Sequence, residues 1–391
     1  MSNVDSVLDD TVAANDAVGA VGVVVSDAGT LTIGASGWAD REAQRPMAAD
    51  TLFYIASMTK AVTSVAAMQC VERGDLDLDT PASEVLPMLA NAPLLTGYDD
   101  AGQPMVRPAK TPITLRHLLT HTSGLGYTTW NAKLFEYRQK FPDHAPMPGP
   151  DLRRSAPLVH EPGTAWEYST STDFVGLAVE AVSGKSLGEY FEANIFAPIE
   201  MVDSGFEVPQ DKEARVAVRY CRQGDGSLVR EPPSKEPPPV FQSGGGGLYS
   251  TAADYAQFMS ALAMFRTPMN GLAPILMPET MEEMCENQLG TLTAGQMRTS
   301  EAHRSYDVDF FPGTSSGWGL GFLLNSEPVV GGRAAGSMAW GGLYNSYYWI
   351  DPTSRLAGAF FTQVLPFADP RILARFEAFE REAYRLYSAS R

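Results

Sequence analysis

Cysteine, lysine and histidine are scarce in this chain, and long apolar runs are absent. The 391 residues hold 3 cysteines, Cys70, Cys221 and Cys285, far apart and odd in number. They fit neither a metal spacing nor a disulfide framework, and reduced thiols point to the cytoplasm. No run of 18 apolar residues offers a membrane span. The opening residues, MSNVDSVLDD, carry neither a basic segment nor an apolar one. No secretory signal is read there, so a cytoplasmic location is expected. Positive charge is short as well: 29 Lys and Arg stand against 46 Asp and Glu, a net charge of −17. Such a surface repels phosphate and argues against nucleic acid as a partner. What remains, 44% hydrophobic and 19% charged, is ordinary globular composition with ample chain for a large core.

Scarcity makes one lysine conspicuous. Of 7 lysines, only Lys60 has a serine three residues before it, in Phe53-Tyr54-Ile55-Ala56-Ser57-Met58-Thr59-Lys60. Thr59 to Val71 reads as a helix with apolar positions 62, 65, 66 and 68 on one face. Ser57 then stands at a helix N-terminus, where unpaired N–H groups and the positive dipole end favour an anion. One helical turn stacks the Lys60 ammonium beside the Ser57 hydroxyl. A serine nucleophile needs a proton acceptor and donors aimed at its oxyanion, and this stretch offers a start on both. A helix cap followed by a solvated lysine would show the same letters. Yet Lys60 is flanked by apolar residues, where a charge is costly unless used or paired.

Along the chain, Asp5 to Ala17 reads as a helix, and Val21 to Val25 with Thr30 to Gly34 as a hairpin. The helix after Ser57 stops at Arg73-Gly74. Asp75, Asp77 and Asp79 alternate as in a calcium loop, but Thr80 and Leu86 stand where that loop requires glycine and glutamate. Over 81–239 prolines cluster between short helices at 114–120, 174–182 and 186–193, the last opened by Ser186 and Glu189 in capping-box spacing. This reads as a mainly helical insertion with lid-like loops, in which Tyr127, Trp130 and Tyr137 would form an apolar rim. Ser243-Gly244-Gly245-Gly246-Gly247-Leu248 lacks the Gly-Lys-Ser/Thr of a phosphate loop and reads as a close-approach turn into a strand. A helix at 254–264, strands at 318–324, 335–340, 346–350 and 356–364, and a helix at 369–386 complete the chain. The expected fold class is α+β: an antiparallel sheet flanked by helices, built from 1–80 and 240–391, with 81–239 inserted.

Two other constellations invite chemistry. His117 and His121 have the spacing of a zinc-protease helix, but Leu118 stands where its glutamate belongs, so no metal is expected. A Ser-His-Asp hydrolase stays open on 5 histidines. No nucleophile elbow of the G-x-S-x-G kind is read, which weakens it. Tyr168 follows the turn Glu161-Pro162-Gly163-Thr164. Tyrosine is a poor base unless a cation holds it as phenolate, a service Lys60 performs only if the fold joins them.

Five segments in order carry a family likeness: Ser57-Met58-Thr59-Lys60, Leu118-Leu119-Thr120-His121-Thr122-Ser123-Gly124-Leu125, Pro162-Gly163 with Tyr168-Ser169-Thr170, Ser243-Gly244-Gly245, and Trp340-Gly341-Gly342. Together they resemble the serine β-lactamase and penicillin-binding-protein superfamily, on its class C β-lactamase-like branch, and within it the family VIII carboxylesterases. The resemblance implies Ser57 as nucleophile, Lys60 and Tyr168 as the proton-transfer pair, and the N–H groups of Ser57 and Leu343 as oxyanion hole. It places Trp340, Gly341, Gly342, Tyr127, Trp130 and Thr170 at the substrate. Class C lactamases carry asparagine where Thr170 stands and lysine where Trp340 stands, and both changes resemble the esterase branch. Arg153, Arg154 or Arg333 could replace the lost cation. The resemblance thus implies a serine esterase acting on small-molecule esters, with no cofactor, metal, nucleic acid or membrane. An acyltransferase, an amidase, β-lactamase or D-peptidase, and a catalytically silent binding protein are the alternatives.

Overall fold

The computed structural model describes residues 3–142, 156–232, 241–266 and 274–391. Prolines 146, 148 and 150, the arginines Arg153 and Arg154, and the proline-rich run from 233 to 239 lie outside these residues.

The β-branched run near the N-terminus becomes the strand Gly19–Ser26, buried along its whole length. It turns back into Gly29–Asp40 as the hairpin expected from the sequence. Eight strands follow one another across the main sheet in the order Ser316–Trp318, Leu323–Asn325, Met338–Gly342, Ser346–Asp351, Leu356–Phe361, Gly19–Ser26, Gly29–Asp40 and Arg45–Pro46. Every neighbouring pair is antiparallel. Adjacent residues of one strand point to opposite faces. Tyr347 accordingly packs on Phe376 of the helix Pro370–Ala389, while Tyr348 packs on Tyr255 of the helix Ala252–Ala263. The sheet is therefore sandwiched between helices, and the α+β reading holds.

Three local expectations differ from the structure. The strand expected over 318–324 is a hairpin, because Gly321 at φ +102 turns the chain between Ser316–Trp318 and Leu323–Asn325. The last strand ends at Phe361, and Val364–Leu365 instead pairs in parallel with Tyr220–Arg222. The region expected to be mainly helical also contains the hairpin Pro93–Tyr98 with Pro104–Pro108. Its prolines sit at strand ends, where a missing N–H breaks no ladder, so they masked the strands in the sequence.

The helix Thr59–Glu72 also departs from expectation. It is buried on every side from Thr59 to Cys70, not along one stripe. The helix Ser171–Ser183 covers the face that would otherwise meet water. Burial of this kind is worth about 1.5–3 kcal/mol for each large apolar side chain, which anchors the turn in front of the helix. Among the described residues no helix is long and apolar enough to cross a membrane.

Candidate active site

Ser57 occupies a single tight turn, Ala56–Met58, that runs directly into the helix Thr59–Glu72. Ala56 has φ +45, in the left-handed region that a residue with a Cβ avoids. Strain of order 1 kcal/mol or more persists only where neighbours fix the backbone. Here Ile55 N–H donates to the Leu248 carbonyl at 3.0 Å, and the Tyr255 hydroxyl donates to the Met58 carbonyl at 3.1 Å. The turn leaves Ser57 half-buried while both its neighbours are buried.

Lys60 is only 2% exposed. Its Nζ donates to the Gly245 carbonyl at 2.6 Å, to the Tyr127 hydroxyl at 3.1 Å and to Ser57 Oγ at 3.2 Å. An ammonium has three N–H donors, and all three are used. The Gly245 carbonyl is held in turn by Asp173, whose Oδ1 accepts from Ser243 Oγ at 2.6 Å and from Gly245 N–H at 2.9 Å. A Cβ on Gly245 would lie 2.9 Å from Asp173 Oδ2, so the glycine run is what allows this approach. Burial pushes the Asp173 carboxyl up, and the Lys60 charge opposes the shift. Sequence reasoning missed Asp173 and Gly245. The glycine run was a usable signal, but its partner carboxylate has no local signature.

Tyr168 is 2% exposed, and its hydroxyl accepts a hydrogen bond from Trp340 Nε1 at 3.0 Å. The fold does bring Lys60 to Tyr168, with Nζ 4.8 Å from the ring centroid. The phenol that bonds the ammonium is nonetheless Tyr127, which the sequence placed in a substrate wall. Burial, reinforced by the neighbouring Tyr168, holds the Tyr127 hydroxyl well above the usual tyrosine range. Tyr127 therefore stays a neutral phenol. Trp130 packs on Tyr127 and Tyr168, and its Nε1 donates to Ser305 Oγ at 3.0 Å. Tyr137 does not join this group: it sits on the helix Ala132–Lys140, packed against Phe141.

The other candidate residues occupy distinct positions. Thr170 is buried at the head of the helix Ser171–Ser183, and its carbonyl accepts from Asp173 N–H. Gly341 and Gly342 end the strand Met338–Gly342, and a Cβ on Gly342 would come within 2.3 Å of the Ile55 carbonyl oxygen. Leu343, next in sequence, is thus brought beside the Ser57 turn, and its N–H donates to no backbone carbonyl among the described residues. His117 Nδ1 accepts from Thr114 N–H, and His121 Nδ1 bonds Ser169 Oγ at 3.0 Å. Burial, then the Lys60 charge, holds the His121 imidazole well below the usual histidine range and hence neutral. No cluster that could hold a metal occurs among the described residues.

Two G-x-S-x-G runs do exist, at Gly184–Gly188 and Gly313–Gly317, and neither is a nucleophile elbow. Ser186 caps the helix Leu187–Phe191. Ser315 lies exposed before a strand, at hydrogen-bond distance from Ser326.

Two expected results follow from this geometry. Trp130→Ala opens the wall beside Tyr168 and changes the ratio of rates on short and long acyl esters by at least about tenfold. A large loss of Tm with an unchanged ratio would instead make Trp130 a packing residue. Glu167, beside Tyr168, has its carboxyl pushed up to about 7 by burial, against the Asn131 hydrogen bond. Because the native state holds this proton more tightly, the associated stability is complete below about pH 4.5 and is lost as pH rises through 7. Glu167→Gln removes that loss, so its stability relative to wild type rises by roughly 3 kcal/mol between pH 4 and pH 8. Parallel pH profiles of the two proteins would contradict the assignment.

The strand order, the Ser57–Lys60 turn and the Trp340-Gly341-Gly342 strand beside it define a class. The chain matches the Beta-lactamase family over residues 4–382 and belongs to it. The family VIII carboxylesterase likeness read from the motifs holds within that family. Acyltransferase calJ of Penicillium decumbens is 33% identical over 350 residues, covering 86% of this chain and 81% of that protein. Esterase EstB of Burkholderia gladioli is 32% identical over 382 residues, covering 90% and 87%. A solved structure of simvastatin synthase from Aspergillus terreus, the LovD6 mutant, superposes with a TM-score of 0.84 at 30% identity, covering 99% and 97% of the two chains.

Proposed function

We propose that this protein is a serine carboxylesterase that hydrolyses small neutral esters through an acyl-Ser57 intermediate. The observation that carries the reading is the buried Lys60 amine 3.2 Å from Ser57 Oγ. Gly245 and Tyr127 accept two of its N–H bonds, so the third direction at Nζ faces Ser57. To act as the base Lys60 first gives this third proton to solvent, and the direction toward Ser57 then holds a lone pair. It takes the Ser57 proton as Oγ attacks the ester carbonyl carbon. The carbonyl pair moves onto oxygen, where the N–H groups of Ser57 and Leu343 receive it, each worth roughly 3 kcal/mol. Collapse breaks the bond to the alkoxy group, and the leaving oxygen takes the proton back from Lys60 by way of the Tyr168 hydroxyl. Trp340 N–H donates to that hydroxyl and leaves its own proton free to point at the leaving group. Water then attacks the acyl carbon, gives its proton to the same pair, and releases the acid as Ser57 recovers its hydrogen.

Trp340 supports a preference for esters over β-lactams. An indole offers no cation to a substrate carboxylate, and Arg333 is paired with Glu380. Against the described residues placed at the substrate, a bound β-lactam would bury its carboxylate unpaired, at a cost of several kcal/mol. Neutral esters should therefore show kcat/KM well above that of cephalosporins, and Trp340→Lys should narrow the gap, mainly by slowing esters. Cephalosporin turnover rivalling the best ester would overturn this.

A second reading is favoured by the similarity to proteins named as an acyltransferase and a synthase. In it the acyl-Ser57 group passes to an alcohol. Product analysis with added alcohol separates the two: free acid throughout supports the hydrolase, and a new ester as main product supports transfer. The division into a sheet unit, 1–80 with 240–391, and a lid unit, 81–239, belongs to this reading. So does a cytoplasmic location, which the 3 unpaired cysteines support.

A further inference from the structure

A cavity of about 380 Å³ opens between the C-terminal helix, the segment Glu327–Arg333 and the segment Asp309–Thr314, and neither Ser57 nor Lys60 is in its wall. That volume lies within the range that holds small organic molecules. Its wall carries the rings of Phe310, Phe311, Phe376 and Trp340 beside aliphatic and charged side chains. Beside its mouth Val330 is 91% exposed, a large apolar side chain left in water.

One polar group in the wall is incompletely used. Arg333 is 4% exposed, and its Nε and Nη2 both bond the carboxylate of Glu380. Nη1 has no hydrogen-bond partner among the described residues. The guanidinium otherwise lies over the rings of Phe311, Trp349 and Phe376, so Nη1 is left to water, and an oxygen acceptor brought by a ligand would take that water's place. Charge decides what kind of oxygen. The wall holds four carboxylates, Asp309, Glu327, Glu377 and Glu380, against the two guanidiniums of Arg333 and Arg381. A carboxylate ligand would meet that excess of like charge, while an organic cation would meet the open edge of Arg333. An uncharged carbonyl meets neither difficulty.

We propose that this cavity is a second ligand site, which binds an uncharged carbonyl compound with an aryl or branched-alkyl body. The carbonyl oxygen accepts from Arg333 Nη1, and the rings enclose the body. Trp340 belongs both to this wall and to the hydrogen bond on Tyr168, so occupancy disturbs that bond. Binding does not depend on the esterase reading. The effect on turnover does.

The test uses the full chain with Ser57 blocked by a fluorophosphonate, benzophenone as a photoreactive probe, and diphenylmethane as its carbonyl-free counterpart. Benzophenone should label peptides from 310–314 or 373–381 saturably, and calorimetry should show it binding at least fivefold more tightly than diphenylmethane. Arg333→Lys keeps a cation for Glu380 but removes the free edge, and should erase that difference. Leu373→Trp fills the cavity and should abolish labelling. In the unblocked enzyme, benzophenone should lower kcat at constant KM in wild type but not in Leu373→Trp. Absent labelling, labelling confined to the Tyr127–Trp130 segment, or equal affinity for the two probes overturns the site. A rise in KM alone overturns the coupling and returns the probe to the Ser57 pocket.

Discussion

Ser57→Ala gives a folded protein that hydrolyses p-nitrophenyl acetate and butyrate at least about a thousandfold more slowly than wild type. The size follows from what is lost. Without Oγ no acyl-enzyme forms, and Lys60 can at best activate a water, so one easy pair of steps becomes a single hard one. The fold should survive, because Ser57 is half-buried and the turn around it is fixed by Ile55, Met58 and Leu248 backbone contacts. Circular dichroism and Tm establish folding, and a fluorophosphonate should label wild type but not the variant. A residual rate within tenfold of wild type would remove Ser57 from the chemistry.

Lys60→Ala and Tyr168→Phe should each cost most of the rate, and the double variant should cost little more. Groups that move one proton in turn act as a unit, so deleting the second member of a broken relay changes little. The two singles differ in their side effects. Lys60→Ala strips a bond from both the Gly245 carbonyl and the Tyr127 hydroxyl, and leaving such groups unpaired costs about 1–3 kcal/mol each. Tyr168→Phe leaves only Trp340 Nε1 without its acceptor, so its Tm should fall less. Losses that multiply would show that the residues work independently. A Tyr127→Phe variant slower than Tyr168→Phe would give the relay to the phenol that touches Nζ.

Legibility in the sequence followed the range of the interactions. The hairpin of Gly19–Ser26 and Gly29–Asp40 was readable because β-branched residues and a glycine turn lie side by side. Ser57 and Lys60 were readable because one helical turn joins them. Gly245 and Tyr127 were not readable as partners of Lys60, for they stand 185 and 67 positions away and only packing unites them. The all-round burial of the helix Thr59–Glu72 was hidden for the same reason, since its second face is covered by a helix more than a hundred residues on. Trp340 was read as a wall alone. Its indole N–H found Tyr168 only through the meeting of a strand with a distant loop.

The close approach of Gly342 to the Ile55 carbonyl has a consequence for how such proteins diverge. The turn that carries Ser57, the proposed nucleophile, and the strand Met338–Gly342 meet backbone to backbone at the Ile55 carbonyl. The proposed grip on a reacting carbonyl, the N–H groups of Ser57 and Leu343, would then be made of peptide groups, whose chemistry no side-chain substitution changes. Only positions 341 and 342 are closed to change there, because any Cβ would push the two segments apart or meet the Tyr347 ring. The residues proposed to wall the substrate, Tyr127, Trp130, Trp340 and Thr170, would act through side chains, which mutation can replace. On this reading mutation can redraw which ester enters, generation after generation, while the backbone grip on its carbonyl is inherited unchanged.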